Sequence, residues 1–491
     1  MNTHDLRPEE RELFGLVAQA SVANQFSAER EQLDRRIAGV GKEVAFDDLL
    51  GHVRARVGGM LDVLRAEGRY DIRQYGGRDR ELVELTLLFD LFHEYMPLFD
   101  RLIERQADEL ARPPQVRFAD KVLTQFDSYG FSRDEALVYF AIFFQLRRAY
   151  YFIVQRLVGS APCMQKLRTD LWYNVFTIDQ PFYKRCLMRR MEDFSTLLLG
   201  GTGTGKGTAA AAIGRSGFIP FDPQRGTFEE SFTRAFVAIN LSQYPPGLIE
   251  SELFGHRKGA FTGAVESHDG VFSRCSPHGS IFLDEIGDVE VPLQIKLLQV
   301  LQERTFTPVG SHERRRFSGR VIAATNRDIG ELRREKRFRD DFYYRLCSDV
   351  IVMPSLQQRI AEDPGELDAL IRHLVRHIAG VDEPTVAARV RAVIDRRLGP
   401  TYPWPGNVRE LEQCVRRVLL RNDYEGDRRA EAGDTLGRLL DDIRAETIDA
   451  SALLARYCLL LYERHGTYEA VAAISGLDRR TVKKYVDAAR E

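Results

Sequence analysis

At 491 residues the chain exceeds what one hydrophobic core organises and points to three or four domains of roughly 100 to 200 residues each. Its composition, 44% hydrophobic and 29% charged, is that of a globular protein; the longest unbroken apolar run, Ala136 to Phe144, is too short for a bilayer, and Met1 to Arg7 lacks a basic region followed by an apolar stretch, so neither a membrane span nor a secretory signal is expected. A net charge of −2 excludes a general attraction to nucleic acid, and six scattered cysteines without a CxxC or Cys/His cluster argue for reduced thiols in the cytoplasm rather than disulfides or zinc.

Residues 1–172 read as a helical domain. Apolar-periodic stretches, Leu82 to Ile103 and Ala136 to Leu157, are separated by short polar or glycine-containing breaks, and Ser132-Arg-Asp-Glu135 has the form of a capping box. The aromatic-rich stretch Val138 to Phe152 reads as helical core, with a ligand pocket as the alternative. The pattern fits neither an α/β receiver nor a mixed α/β sensor. It continues through Leu171-Trp-Tyr-Asn-Val-Phe176 without a long flexible linker.

From 173 to 356 short apolar runs (Thr196 to Leu199, Phe236 to Ile239, Ile281 to Leu283, Val321 to Ala324, Val350 to Met353) alternate with helical segments, which predicts an α/β domain with a parallel sheet covered by helices. After the first run comes Gly200-Gly201-Thr202-Gly203-Thr204-Gly205-Lys206, then Gly207, Thr208 and an alanine-rich helix. Glycines let successive backbone N–H groups turn inward around phosphate oxygens, the helix N-terminus adds positive potential, and Lys206 reaches the β and γ phosphates of ATP. A glycine-rich turn without nucleotide is the alternative. Where this pattern calls for Ser or Thr after the lysine the chain has Gly207, which leaves Thr208 as the neighbouring hydroxyl for Mg²⁺.

Ser251-Glu-Leu-Phe-Gly-His-Arg-Lys258 leads into Gly259-Ala260-Phe261-Thr262-Gly263-Ala264, whose bracketing glycines predict a loop offering one apolar and one polar contact to a partner. His278-Gly-Ser-Ile-Phe-Leu-Asp284-Glu285 is a buried strand carrying two carboxylates to its C-terminal edge, where ligands of open α/β sheets collect. Asn240 ends one strand, and Thr325 and Asn326 end another. Arg339 and Arg345, in Phe338-Arg-Asp-Asp-Phe-Tyr-Tyr-Arg345, lie on a segment that otherwise reads as a solvated charged face.

Helix returns over 357–432, interrupted by the stiff turn Tyr402 to Gly406 and followed by Arg409 in Trp404-Pro-Gly-Asn-Val-Arg-Glu-Leu411; a polar linker is expected over 421–435. Within 433–491, Thr467 to Val486 reads as two short helices joined at Ser475-Gly-Leu477, with Ala472, Ile474, Leu477, Val482 and Val486 between them and Asp478 as N-cap. The second helix presents Arg479, Arg480, Thr481, Lys483 and Lys484, suited to base edges and phosphates. A basic two-helix hairpin without DNA is the alternative.

In this order the motifs of residues 173–491 resemble the bacterial enhancer-binding proteins, the AAA+ activators of sigma-54 RNA polymerase, with a Fis-type helix-turn-helix. The resemblance implies a AAA+ core and helical lid, ATP and Mg²⁺ as cofactors, and a cytoplasmic ring homo-oligomer, a hexamer. It implies contact of residues 259–264 with sigma-54 and of the carboxyl-terminal helices with double-stranded enhancer DNA. It assigns Mg²⁺ to Asp284, activation of the attacking water to Glu285, coupling of that glutamate to the partner loop to Asn240, a γ-phosphate sensor to Thr325 and Asn326, fingers reaching a neighbour's site to Arg339 and Arg345, and a second sensor to Arg409. The helical amino-terminal domain is then expected to regulate ring assembly in response to an unidentified signal. Another AAA+ remodeller would share the nucleotide site but lack the loop at 259–264, and Gly207 motivates a third reading, a DNA-binding repressor with weak ATPase activity.

Overall fold

All five apolar runs form strands of one parallel sheet: β1 (Thr196–Leu199), β2 (Phe236–Asn240), β3 (Ser280–Asp284), β4 (Arg320–Thr325) and β5 (Asp349–Val352). Their spatial order is β2-β3-β4-β1-β5, so each connection between parallel neighbours crosses over the sheet. The structure, a computed structural model, describes residues 4–108, 112–426, 439–440, 442–443 and 447–489. Two compact units result: Met1–Glu383 with Gly406–Glu412, and Pro384–Pro405 with Gln413–Glu491. From residue 427 onward the expected linker lies outside the described residues.

Side chains alternate across the strands. On one face Leu197, Ile239, Ile281, Leu283, Val321 and Ala323 pack with apolar residues from helices Pro246–Phe254, Val291–Glu303 and Asp340–Leu346. On the other, Leu198, Phe282, Ile322, Ala324 and Ile351 share a core with the amino-terminal helices. Those are α1 (Pro8–Val22), α2 (Ala28–Ala38), α3 (Phe46–Ala66), α4 (Gly77–Asp108), α5 (Ala119–Ser128), α6 (Arg133–Arg156) and α7 (Pro162–Phe176). The helical region is therefore not separated from the sheet at residue 172. Helix α7 runs through that position with Trp172 and Phe176 buried, and the cores are continuous.

Helix α6 starts at the capping box foreseen in the sequence, Ser132 and Glu135 bonding reciprocally. Among the described residues it is the one helix long and apolar enough to cross a membrane by length and composition. Here it is the central core helix. Phe140, Phe144 and Phe152 are buried, and the Phe144 ring stacks on Phe228 with centroids 4.0 Å apart. Each such ring, truncated to alanine, would cost about 3–5 kcal/mol.

Further ties are polar. Buried Arg320 of β4 donates to the Asn174 carbonyl of α7 at 3.1 Å and to its side chain at 2.9 Å. Buried Glu366 accepts from Ser160 N at 2.7 Å, Ala161 N at 3.2 Å and Arg359 Nε at 2.7 Å, while Arg359 donates to the Val158 carbonyl at 2.6 Å. This buried pair joins the α6–α7 connection to two helices expected in the lid, Leu356–Glu362 and Gly365–Ala379. The helical stretch 357–432 is thus divided, its first helices belonging with the sheet.

In the second unit, helices Ala450–His465, Tyr468–Ser475 and Arg479–Ala488 close over Cys458, Leu461, Val471, Val482 and Val486. Val471 supplies the contact expected of Ile474, which is 49% exposed. The turn between the last two helices uses Gly476 at φ 71°, and Asp478 caps the last one by accepting from the N–H groups of Arg480 and Thr481 at 2.9 and 3.0 Å.

Candidate nucleotide site and partner loop

Strand register brings the polar ends together: Asn240 pairs with Asp284, Asp284 with Ala324, and Leu199, just before the glycine loop, with Thr325. The loop Gly200–Gly205 leaves β1 and enters α8 (Lys206–Gly214). Gly203 and Gly205 have φ of 77° and 93°, and a Cβ at Gly203 would lie 2.2 Å from the Gly406 carbonyl oxygen, so glycine is needed there on both counts. Thr204 Oγ1 ties the loop to the Gly201 carbonyl at 2.9 Å, and Lys206 Nζ donates to the carbonyls of Gly200 and Gly201 at 2.8 and 3.1 Å.

Burial pushes the Lys206 ammonium down, opposed by the charges of Glu285 and Asp284, and pushes the Asp284 carboxyl up, opposed by the Glu285 N–H, Lys206 and Arg409. Both groups are charges withdrawn from water. Phosphates beside Lys206 and a divalent cation beside Asp284 would favour the charged form of each. Among the described residues no three His, Cys, Asp or Glu side chains converge as a metal cage. A Mg²⁺ held by one carboxylate, with phosphate oxygens and water completing the shell, fits this donor set.

Glu285 has φ 57°, a left-handed conformation that sets it apart from the strand it follows. Its carboxylate accepts from Asn326 N at 3.2 Å, and the Asn326 side chain donates to Thr202 Oγ1 at 3.1 Å, so Asn326 spans the two motifs. Gly201, Thr202, Ser242, Glu285, Asp288, Asn326 and Arg327 line one cleft of about 410 Å³. Thr325 is buried and its hydroxyl accepts from Arg327 N at 3.1 Å, which makes it a support for the turn rather than a cleft-lining group. Asn240 differs from expectation. Its carboxamide oxygen accepts from Ser242 N at 3.0 Å and Ser242 Oγ at 2.7 Å, capping a short turn instead of holding Glu285.

Gly207 is exposed, and a Cβ there would meet nothing closer than Phe282 at 4.0 Å, so space does not require glycine. Arg409 lies beside Gly203, with Val408 N donating to the Gly203 carbonyl at 3.1 Å.

The loop at 259–264 is closed by Gly259 N donating to the Ala264 carbonyl at 2.8 Å, with Gly259 and Gly263 at positive φ. Thr262 and Gly263 are exposed, Ala260 is half-buried and Ala264 buried. Phe261 is only half-exposed because its ring packs edge-on to His256, centroids 4.9 Å apart. Thr262 alone of the expected contact pair stands free in solvent.

The two candidate fingers are held locally. Arg339 pairs with Asp341 at 2.6 Å, while Arg345 donates twice to the Leu301 carbonyl, at 3.0 and 2.7 Å. Neither reaches the cleft of its own chain. In the carboxyl-terminal helix Arg480, Lys483 and Lys484 are exposed, Arg479 pairs with Glu469 at 2.9 Å, and Thr481 is turned back to Asp478 at 2.5 Å.

Residues 181–352 match the family model of the sigma-54 interaction domain. The chain carries a sigma-54 interaction domain. It is 38% identical over 274 residues to the transcriptional regulatory protein GlrR of Escherichia coli, covering 54% of this chain and 56% of that one. It is 38% identical over 263 residues to the DNA-binding transcriptional regulator NtrC of Azospirillum brasilense (53% and 47%) and 39% identical over 229 residues to the Nif-specific regulatory protein of Azotobacter vinelandii (47% and 40%). The chain spans about half the length of the curated relatives it matches. A crystal structure of NtrX from Brucella abortus covers 76% of this chain and 80% of its own, with 20% identity and a TM-score of 0.39.

The sigma-54 interaction domain contains the glycine loop, the acidic strand, the loop at 259–264 and both candidate fingers; Arg409 and the carboxyl-terminal helices lie beyond it. Two positions beyond the motif residues also serve the site. Asn407, at φ 50°, bonds the glycine loop, and its Gly-Asn step before a helix is a local signal for that conformation. Buried Gln294 accepts from Arg339 N at 2.9 Å and donates to the Arg337 carbonyl at 2.8 Å, fixing the segment that bears a candidate finger. No local pattern distinguishes it from other helix glutamines.

Proposed function

We propose that this protein is an ATP-dependent transcriptional activator that binds upstream DNA and remodels sigma-54 RNA polymerase to open promoters. The observation that carries the reading is the joining of Thr202, Asn326 and Glu285 at one sheet edge, in a domain that also bears an exposed Thr262. A phosphate loop, a carboxylate positioned for water and a partner loop are the parts that turnover coupled to movement requires.

In the proposed reaction the glycine-loop N–H groups and Lys206 bind the phosphates of ATP. Asp284 and Thr208 would hold Mg²⁺, whose charge offsets that of the phosphates. Glu285 orients a water and accepts its proton as the water oxygen bonds to the γ-phosphorus and the bond to ADP breaks. Asn326, bonded to both Glu285 and Thr202, reports whether the γ-phosphate is present. Arg339 and Arg345, released from Asp341 and Leu301, act on a neighbour's site in a ring homo-oligomer, a hexamer, as head-to-tail contacts close. The loop at 259–264 then moves against sigma-54, with Thr262 as the polar contact and Phe261 leaving His256. Arg479, Arg480, Lys483 and Lys484 meet the DNA, Thr481 supporting their helix through Asp478. Such a protein works in the cytoplasm, beside the polymerase.

Gly207 gives the repressor reading little support, since Glu285 lines the cleft, Lys206 feels the charges of Glu285 and Asp284, and a Cβ at 207 would meet nothing closer than Phe282 at 4.0 Å. ATP turnover measured against protein concentration tests the catalytic part. Turnover per subunit is expected to rise steeply as rings assemble and to vanish in Arg339→Ala. A rate per subunit independent of concentration would contradict a site completed by a neighbour.

A further inference from the structure

The carboxyl-terminal end of the phosphate-loop helix α8 is held by side chains from the amino-terminal region. Arg148, fully buried on α6, donates from its two terminal nitrogens to the Arg215 carbonyl at 2.8 Å and the Gly217 carbonyl at 2.7 Å. Gln145, one turn earlier and also fully buried, donates to the Ser216 carbonyl at 2.9 Å. Three successive carbonyls beyond the last turn of α8 are thus satisfied from a single helix. The apolar side of α8, with Ala209, Ala210, Ala212 and Ile213, lies in the core that α6 dominates.

Among the described residues the guanidinium has no carboxylate partner. It sits over the rings of Phe144 and Phe232, 4.5 and 5.9 Å from their centroids, and its Nε is buried without an acceptor. Burial pushes it below the usual arginine range, to about 9, which still leaves it charged at neutral pH. A buried cation held by carbonyls and aromatic faces is found here although an apolar side chain would fill the space more cheaply. Its charge faces the negative pole of α8, whose positive pole faces the phosphates.

We infer that Arg148, with Gln145, is a positioning residue for the nucleotide site, fixing the axial placement of α8 and with it the glycine loop and Lys206. This rests on the reading of that loop as an ATP site. It changes the part assigned to the amino-terminal helices: they are a fixed wall of the ATPase, and a signal that shifted α6 would be felt as a change in nucleotide affinity.

The test is the affinity of the full-length chain for a fluorescent ADP analogue, together with kcat and KM for ATP, in Arg148→Met, Arg148→Lys and Arg147→Met. Arg147 pairs with Asp100 at 2.7 Å within the amino-terminal region and does not contact α8, so its variant reports general destabilisation. In Arg148→Met the analogue is expected to bind about tenfold more weakly, with KM rising in parallel and kcat changing less, the scale of a partly buried charge at a helix end. Arg148→Lys is expected to recover part of the loss, and Arg147→Met to bind as wild type. Equal affinity in wild type and both Arg148 variants overturns the inference while leaving the ATPase reading intact. An equal loss in Arg147→Met reduces Arg148 to a structural role and also overturns it. A wild-type chain that binds no nucleotide overturns both readings.

Discussion

The side-chain nitrogen of Asn407 donates to the Thr202 carbonyl at 3.0 Å. Its oxygen accepts from Leu356 N at 2.8 Å, so one carboxamide joins the glycine loop to the start of the helix that carries Arg359. Arg359 in turn meets Glu366 and the Val158 carbonyl of the amino-terminal region. The glycine loop is therefore gripped from both sides, by α6 at the far end of its helix and by Asn407 at its tip. Replacing Asn407 with alanine removes both bonds and puts a less tolerant residue at φ 50°; a loss of about 1–3 kcal/mol is expected, read as weaker ATP binding and a lower melting temperature. Unchanged values in both would show the two bonds to be incidental.

Glu285→Ala is expected to bind ATP with near wild-type affinity and to hydrolyse it about 10²- to 10⁴-fold more slowly. Equilibrium binding measured beside phosphate release checks this. Parallel loss of binding would mean that Glu285 supports the fold of the cleft through Asn326 rather than the chemistry.

Thr262→Ala removes an exposed hydroxyl at the partner loop, far in sequence from the glycine loop. ATP turnover is expected to stay within about twofold and stability within about 0.5 kcal/mol, as for a surface substitution, while promoter opening is lost. Equal loss of turnover and opening would argue against a coupling role.

Gly207→Ala adds a Cβ to an exposed position in α8 that meets only Phe282 at 4.0 Å. A gain of about 0.5–1 kcal/mol in stability is expected from helix propensity alone, seen as a raised melting temperature of the apoprotein. A fall would mean that the backbone at 207 needs the freedom of glycine.

Acid sensitivity has an identifiable contributor in α1. Burial raises the Glu10 carboxyl, but bonds from Arg69 and from the Arg7 N–H outweigh it and hold the group below its ordinary value of 4.5. A carboxyl depressed in the folded state stabilises above its unfolded value and loses that contribution as pH falls through the folded one. Melting temperature is thus expected to drop below about pH 4.5, less steeply in Glu10→Gln. An identical acid limb in the variant would remove Glu10 from the account.

The strands and the glycine loop are legible in the sequence because their signals are local: apolar runs of three or four residues, and glycines at fixed spacing before Lys206. The capping box at Ser132 and the Asp478 cap are legible for the same reason. The shared core is not. Phe144 stacking on Phe228, or Arg148 meeting the Arg215 carbonyl, depends on two elements distant in sequence, and each residue alone reads as an ordinary helix position. Asn240 is a different case: the resemblance points to Glu285, while the turn that follows β2 places Ser242 within its reach. Thr325, for which the resemblance implies a γ-phosphate sensor, has its hydroxyl accepting from Arg327 N in the turn after β4.

The central claim is tested most directly by probing for single-stranded DNA at the start site of a supercoiled sigma-54 promoter, its upstream region included, incubated with sigma-54 holoenzyme, the full-length protein and ATP. Melting that requires both hydrolysable ATP and Thr262 is the predicted result. No melting under any nucleotide condition, from a protein that turns ATP over normally, would contradict it and assign the motor to a different partner.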